Sequence, residues 1–227
     1  MSRDRCATVV AAAIALAAFN ACGRLPGQPS PSARPELPSH VTNFDQLYIV
    51  NCAGCHGADG RFGGALPLNN PAYLVLADDA SMRDAIANGI VGTSMPAFAI
   101  GSGGMLTDDQ INHIVSGIRS QWSTEARPAE GMPPYRTSEA GDAAQGRKLF
   151  GDYCAPCHGE GVMGGSAGAI TNPSFLALYN DQALRTLIIA GRPDLGHPGW
   201  RDYPHKPPLD AAQVSDIVAW LAAQRGS

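Results

Sequence analysis

A stretch of five residues occurs twice in this chain, as Cys52-Ala53-Gly54-Cys55-His56 and as Cys154-Ala155-Pro156-Cys157-His158. Two thiols three residues apart on one helical turn can each add to a vinyl group of a single haem, while the adjacent imidazole turns inward to bind its iron. On this reading Cys52, Cys55, Cys154 and Cys157 attach two covalent haem c groups, and His56 and His158 each bind one iron. The competing chemistries fit less well. Zinc ligand pairs recur within about 12–20 residues, whereas these pairs stand 102 apart, from Cys52 to Cys154. A thioredoxin-like redox pair needs a βαβ setting, and no alternating or β-branched run predicts strands near either motif. Plain disulfides are the remaining alternative.

The elements that must position these residues come in two copies. At an offset of 102, Asn70-Pro71-Ala72-Tyr73-Leu74 falls on Asn172-Pro173-Ser174-Phe175-Leu176, and Gly89 falls on Gly191. With one residue inserted, Leu106-Thr107-Asp108-Asp109-Gln110 matches Leu209-Asp210-Ala211-Ala212-Gln213. The 227-residue chain is therefore read as two domains, copies of one small unit. Each copy has about 80 residues, a size at which a core is marginal and usually needs a staple. A covalently held haem is an apolar body large enough to supply it.

Each copy is expected to be all-helical. A first helix, 44–51 or 143–153, runs into the cysteines behind the N-caps Asn43 and Asp142. A middle helix, 80–88 or 181–190, stops at Gly89 or Gly191, read as a C′ glycine. The last helix opens on a capping box, Thr107-x-x-Gln110 or Asp210-x-x-Gln213. Its stripe of Ile111, Ile114, Val115, Ile118 or Val214, Ile217, Val218, Leu221 predicts one buried face. His113 lies off that stripe and is placed on the solvent side.

This order of helix, Cys-x-x-Cys-His, glycine-rich loop, short helices, ligand loop and terminal helix resembles the class I cytochrome c fold, in tandem. Gly141-Asp142-Ala143-Ala144-Gln145-Gly146-Arg147-Lys148-Leu149-Phe150 is especially similar to that family's opening helix. The resemblance covers 44–122 and 142–225. It implies an all-α fold of two class I cytochrome c-like domains, each wrapped around one haem c, with electron transfer as the activity.

The resemblance also implies a sixth iron ligand, usually a methionine between the middle and last helices. In the first copy Met95, in Ser94-Met95-Pro96, holds that slot, with Met105 the nearby rival. A thioether favours ferrous iron and raises the potential. In the second copy the same offset puts His197 there, in Gly196-His197-Pro198, so the proline is kept and the ligand exchanged. Imidazole gives no such preference, and a lower potential is expected within the roughly 0.8 V over which axial ligands tune haems. His205, an open or water-bound iron, and Met163 are the alternatives to His197. Asp194, Arg192 and Arg201 flank it, and a surface salt link accounts for them.

The ends of the chain bear on location. Arg3 and Arg5 precede an apolar run from Ala7 to Phe19, too short for a bilayer core of about 30 Å, so residues 1–22 read as an export signal. Phe19-Asn20-Ala21-Cys22 resembles the lipobox of bacterial lipoproteins, which implies lipidation of Cys22; Phe19 and Asn20 depart from that family's usual leucine and small residue. An ordinary cleaved signal or an uncleaved anchor is the alternative. Residues 23–43, rich in Pro and Ser, read as an extended tether of about 3.1 Å per residue, and 123–141 as the linker between the domains at 44–122 and 142–227.

The function expected is a di-haem electron carrier, rather than an enzyme, on the periplasmic side or surface of a bacterial membrane. Its partners are redox proteins and, through the lipid, a membrane. With 16 Lys/Arg against 20 Asp/Glu, nothing points to nucleic acid. Two rivals stand beside it: a peroxidase-like or sulfur-oxidising enzyme with an open second iron, and a fixed haem subunit of a respiratory complex.

Overall fold

Helix starts follow the caps written in the sequence. In the computed structural model, which describes residue 30 and residues 35–123, 128–160 and 163–226, Asn43 accepts from the Gln46 amide at the head of α1 (Phe44–Asn51). Asp142 accepts from the Ala144 and Gln145 amides at the head of its counterpart α6 (Ala143–Tyr153). Each runs directly into a single turn bearing the second cysteine and the histidine, α2 (Ala53–His56) and α7 (Ala155–His158). The expected export signal and Cys22 lie outside the described residues.

Asn70 and Asn172 cap short helices with proline in the first turn, α3 (Pro71–Leu76) and α8 (Pro173–Leu176). The middle helices are α4 (Asp79–Asn88) and α9 (Asp181–Ala190). Both expected capping boxes are closed at the heads of α5 (Asp108–Trp122) and α10 (Ala211–Ala223). Among the described residues there is no strand, only isolated bridges such as Arg192 with His197, and no helix is long and apolar enough to cross a membrane.

The chain divides into two units between His40 and Val41. The described part of the first is exposed, with one 3-10 turn at Pro38–His40. The second holds both repeats, each with its own core. In the first repeat Leu47, Tyr48, Ile111, Ile114, Val115 and Ile118 are buried together; in the second, Phe150, Leu176, Ile189, Val214, Ile217 and Leu221. The stripes on α5 and α10 are thus the buried faces. The His113 side chain is 42% exposed, and its Nδ1 lies 2.8 Å from the Asp109 carbonyl.

First and last helices meet at a glycine in each repeat, but on opposite partners. In the first, a Cβ on Gly117 of α5 would lie 2.0 Å from the Phe44 ring of α1. In the second, a Cβ on Gly146 of α6 would lie 1.9 Å from the Asp216 carbonyl and 2.9 Å from Trp220 Cβ on α10. Phe44 aligns with Gly146 and Gly117 with Trp220, so large and small residues have changed places at one crossing.

The segment between the repeats, expected to be a spacer, carries no helix in its described part, 128–141, yet it is fastened to both copies. Tyr135 packs against the first core and Ala129 and Met132 against the second. The Pro134 carbonyl accepts from Arg185 Nε at 3.0 Å, and the Tyr135 carbonyl accepts from Gln182 at 2.8 Å. Prolines in this segment exclude helix but do not exclude packing.

Candidate haem sites

The two attachment turns are built alike. Cys52 N–H donates to the Tyr48 carbonyl and Cys154 N–H to the Phe150 carbonyl, so each first helix delivers its cysteine in register. Within each pair the first thiol is turned inward and the second is exposed. Burial pushes Cys52 up to about 12, with Cys55 adding to it. Burial likewise pushes Cys154 up to about 12, against a lowering contact from Tyr203. A redox-active dithiol needs the opposite, a depressed pKa. Among the described residues the two pairs form no joint cluster of metal-ligating side chains.

The ring of each motif histidine is fixed by a carbonyl ten residues on. His56 Nδ1 lies 2.7 Å from the Leu66 carbonyl oxygen, and His158 Nδ1 lies 3.0 Å from that of Gly168. A carbonyl only accepts, so Nδ1 carries the proton and Nε2 keeps its lone pair, the tautomer a metal-binding imidazole requires. Burial lowers the proton affinity of His56, partly opposed by Leu66 and reinforced by the charge of Arg192. Neither carbonyl could be singled out from sequence, because the loop carries no pattern beyond its glycines.

The candidate sixth ligands occupy one backbone position in both repeats. Ile90 N–H donates to the Met95 carbonyl at 3.0 Å, and the aligned Arg192 N–H donates to the His197 carbonyl at 3.0 Å. The loops then cross the ends of the middle helices. A Cβ on Gly89 would lie 2.8 Å from the Met95 carbonyl, and one on Gly191 would lie 2.7 Å from that of Pro198. Both glycines have φ near +70 with an extended ψ, so they serve this crossing and not the left-handed cap expected from sequence.

Met95 packs against the first core, as Cys52 does. In the second repeat the His158 and His197 rings stand 5.7 Å apart, centroid to centroid, with planes at 48°. Two imidazoles bound to opposite sides of one metal at about 2 Å per bond have centroids roughly 6 Å apart, so the spacing suits a shared metal. His197 is lowered to about 4, first by burial and then by the charge of His158, so it is neutral at pH 7. Its buried Nδ1 has no hydrogen-bond partner. The alternatives lie elsewhere: His205 is exposed at φ 57, Met163 is 93% exposed and Met105 81%. Anchored Nδ1 atoms, paired cysteines and two neighbouring imidazoles all fit a haem.

What the sequence missed is the contact between the repeats. Arg192 and Asp194 are not a surface salt link: their side chains are 12% and 4% exposed, paired at 2.9 Å. Asp194 accepts from the Phe62 amide at 2.9 Å and Arg192 donates to the Gly63 carbonyl at 2.9 Å, both in the loop after the first motif. Asn70, 3% exposed, donates to the Ala190 carbonyl at the end of α9. Residues some 130 positions apart leave no periodic trace in a sequence.

Comparison with known proteins places the chain in a family. The profile of the family described as cytochrome C oxidase, cbb3-type, subunit III matches residues 40–116 and 141–221. Among curated relatives, cbb3-type cytochrome c oxidase subunit CcoP of Azospirillum sp. (strain B510) is 30% identical over 53% of this chain and 40% of its own length. Subunit FixP of Rhizobium etli is 32% identical over 52% and 38%, and FixP of Bradyrhizobium diazoefficiens 29% over 78% and 58%. The aligned part thus spans about two fifths of the first two relatives and somewhat more than half of the third. Among solved structures, a chain of the Kuenenia stuttgartiensis reducing HAO-like protein complex Kustc0457/Kustc0458 matches with a TM-score of 0.46 at 18% identity, over 84% of this chain and 99% of that one.

Proposed function

This chain belongs to the cytochrome C oxidase, cbb3-type, subunit III family, a c-type cytochrome with two covalently bound haem c groups, and on that footing we propose how its two sites divide the work of electron transfer. Each haem supplies reversible one-electron exchange between ferrous and ferric iron. Cys52 and Cys55, and Cys154 and Cys157, hold the groups as thioethers. His56 and Met95 would hold the first iron, and His158 and His197 the second. The observation that carries the unlike pair is the 5.7 Å spacing of the His158 and His197 rings, with His197 in the hairpin position that Met95 fills in the first repeat.

A Met95 thioether would favour the ferrous state and a His197 imidazole would not, so electrons would enter on the side of the second repeat and leave from the first. Two side chains facing one iron leave no open position for peroxide or sulfur chemistry, which favours a carrier over an enzyme. The likeness to oxidase subunits supports a place beside a respiratory oxidase, as a fixed subunit or as a tethered shuttle feeding one. A lipid on Cys22, outside the described residues, is the anchor we assign to the exported chain.

A spectroscopic redox titration of the matured protein tests the reading. Two unequal waves are expected, with the near-infrared sulfur-to-iron band following the higher one. Two equal waves, or no such band, would overturn the division.

A further inference from the structure

We propose that Arg192, held by Asp194, is the positioning residue that fixes the two haem sites to each other and supplies one positive charge common to both. The proposal rests on the ligand assignment above, in which His56 and His197 belong to different irons.

Arg192 faces two ways. Its backbone closes the hairpin that presents His197, its N–H donating to the His197 carbonyl and its carbonyl accepting from the His197 N–H, each at 3.0 Å. Its side chain runs to the other repeat, where Nη2 donates to the Gly63 carbonyl. Gly63 lies between His56 and Leu66, the residue whose carbonyl orients His56, and the chain there has no slack. A Cβ on Gly63 would lie 2.1 Å from the Cys55 carbonyl and 2.6 Å from the Gly57 amide nitrogen. Movement of the guanidinium is therefore movement of the loop that sets the His56 ring.

Asp194 locks this arrangement. Its two oxygens take Arg192 Nε at 3.0 Å and Nη2 at 2.9 Å, and one of them also takes the Phe62 amide. Burying an ion pair seldom adds net stability, since desolvation offsets the attraction, and its best-attested use is to fix register. The aligned residues in the first repeat are Ile90 and Gly92, which can form no such pair. The bracket thus exists only on the ligand loop that meets the other repeat's attachment loop. The guanidinium therefore lies between the loop that anchors His56 and the hairpin that presents His197, and its charge stands beside both sites.

A cation beside an iron site favours the less positive ferrous state, and its counter-ion opposes that. In the matured full-length chain, with haem content checked by haemochrome absorbance, Arg192→Met is expected to lower both midpoint potentials and Asp194→Asn to raise both. Arg192→Lys, which keeps the charge and loses the fork, should return the potentials towards the parent. Denaturant unfolding of the same samples should show all three less stable. Shifts of equal sign in Arg192→Met and Asp194→Asn, or unmoved potentials with stability lost, would overturn the proposal and leave a structural clamp. If Arg192→Met does not mature, Asp194→Asn decides alone, unmoved potentials again being fatal. The ligand assignment is judged on the parent's own waves and infrared band, so the two failures are distinguishable.

Discussion

Arg119 and Arg225 make the same contacts from inequivalent places in the repeat. Arg119, on α5, donates to the Leu74 and Ala77 carbonyls and pairs with Asp79. Arg225, beyond the end of α10, donates to the Leu176 and Tyr179 carbonyls and pairs with Asp181. The acceptors align at an offset of 102, but Arg119 aligns with Ala222, one turn earlier than Arg225. What is kept is the capture of free carbonyls where α3 or α8 ends.

Those carbonyls set the size of the effect. Arg119→Met removes charged hydrogen bonds from half-buried acceptors and is expected to cost about 1–3 kcal/mol in denaturant unfolding. Asp79→Asn should cost less, under about 1 kcal/mol, because that carboxylate is 62% exposed and screened. An equal loss from both would mean that the ion pair, not the carbonyls, carries the contact.

Gly117→Ala places a methyl inside the Phe44 ring, so overpacking of about 2–3 kcal/mol is expected. A double-mutant cycle with Phe44→Ala should recover part of the loss, since the smaller residue vacates that space. Additive losses would show that the crossing does not depend on this pair.

Exchanging the proposed sixth ligands should move the two redox waves in opposite directions. Met95→His is expected to abolish the near-infrared thioether band and to lower the upper wave, and His197→Met to raise the lower wave and create a second band. The matched bonds from Ile90 and Arg192 give the two residues the same backbone position, which is why the exchange is tested in both directions. An unchanged band in Met95→His would assign the thioether to another methionine.

Asp194 gives the contact between repeats an acid limit. The Arg192 guanidinium, then the Phe62 amide, hold its carboxyl below the usual carboxylate range of about 3.9. A depressed folded pKa means that its stabilising contribution is full above the unfolded value and is lost as pH falls through the folded one. Stability should therefore drop below about pH 4 in the parent, and Asp194→Asn should remove that component of the slope. An identical acid profile in the variant would place the loss elsewhere.

Helix positions were legible in the sequence because caps and stripes are local. Asn43, Asp142, Thr107 with Gln110, and Asp210 with Gln213 stand where their spacing placed them. The repeat offset likewise carried Met95 onto His197, and the structure sets both in one hairpin position. Arg192, Asp194 and Asn70 were misjudged or passed over for one reason: each acts across a separation with no period. Gly89 and Gly191 were recognised as helix stops for an incomplete reason, since the loop pressing on them becomes visible only in three dimensions.

The reversed large and small residues at the helix crossings bear on how two such similar halves avoid exchanging parts. If α1 met α10 during folding, Phe44 would be driven against Trp220, two rings in a socket that holds one. If α6 met α5, Gly146 would face Gly117 and nothing would fill the gap. Each half therefore accepts its own closing helix and rejects its neighbour's, a safeguard against intramolecular swapping that neither half could provide alone.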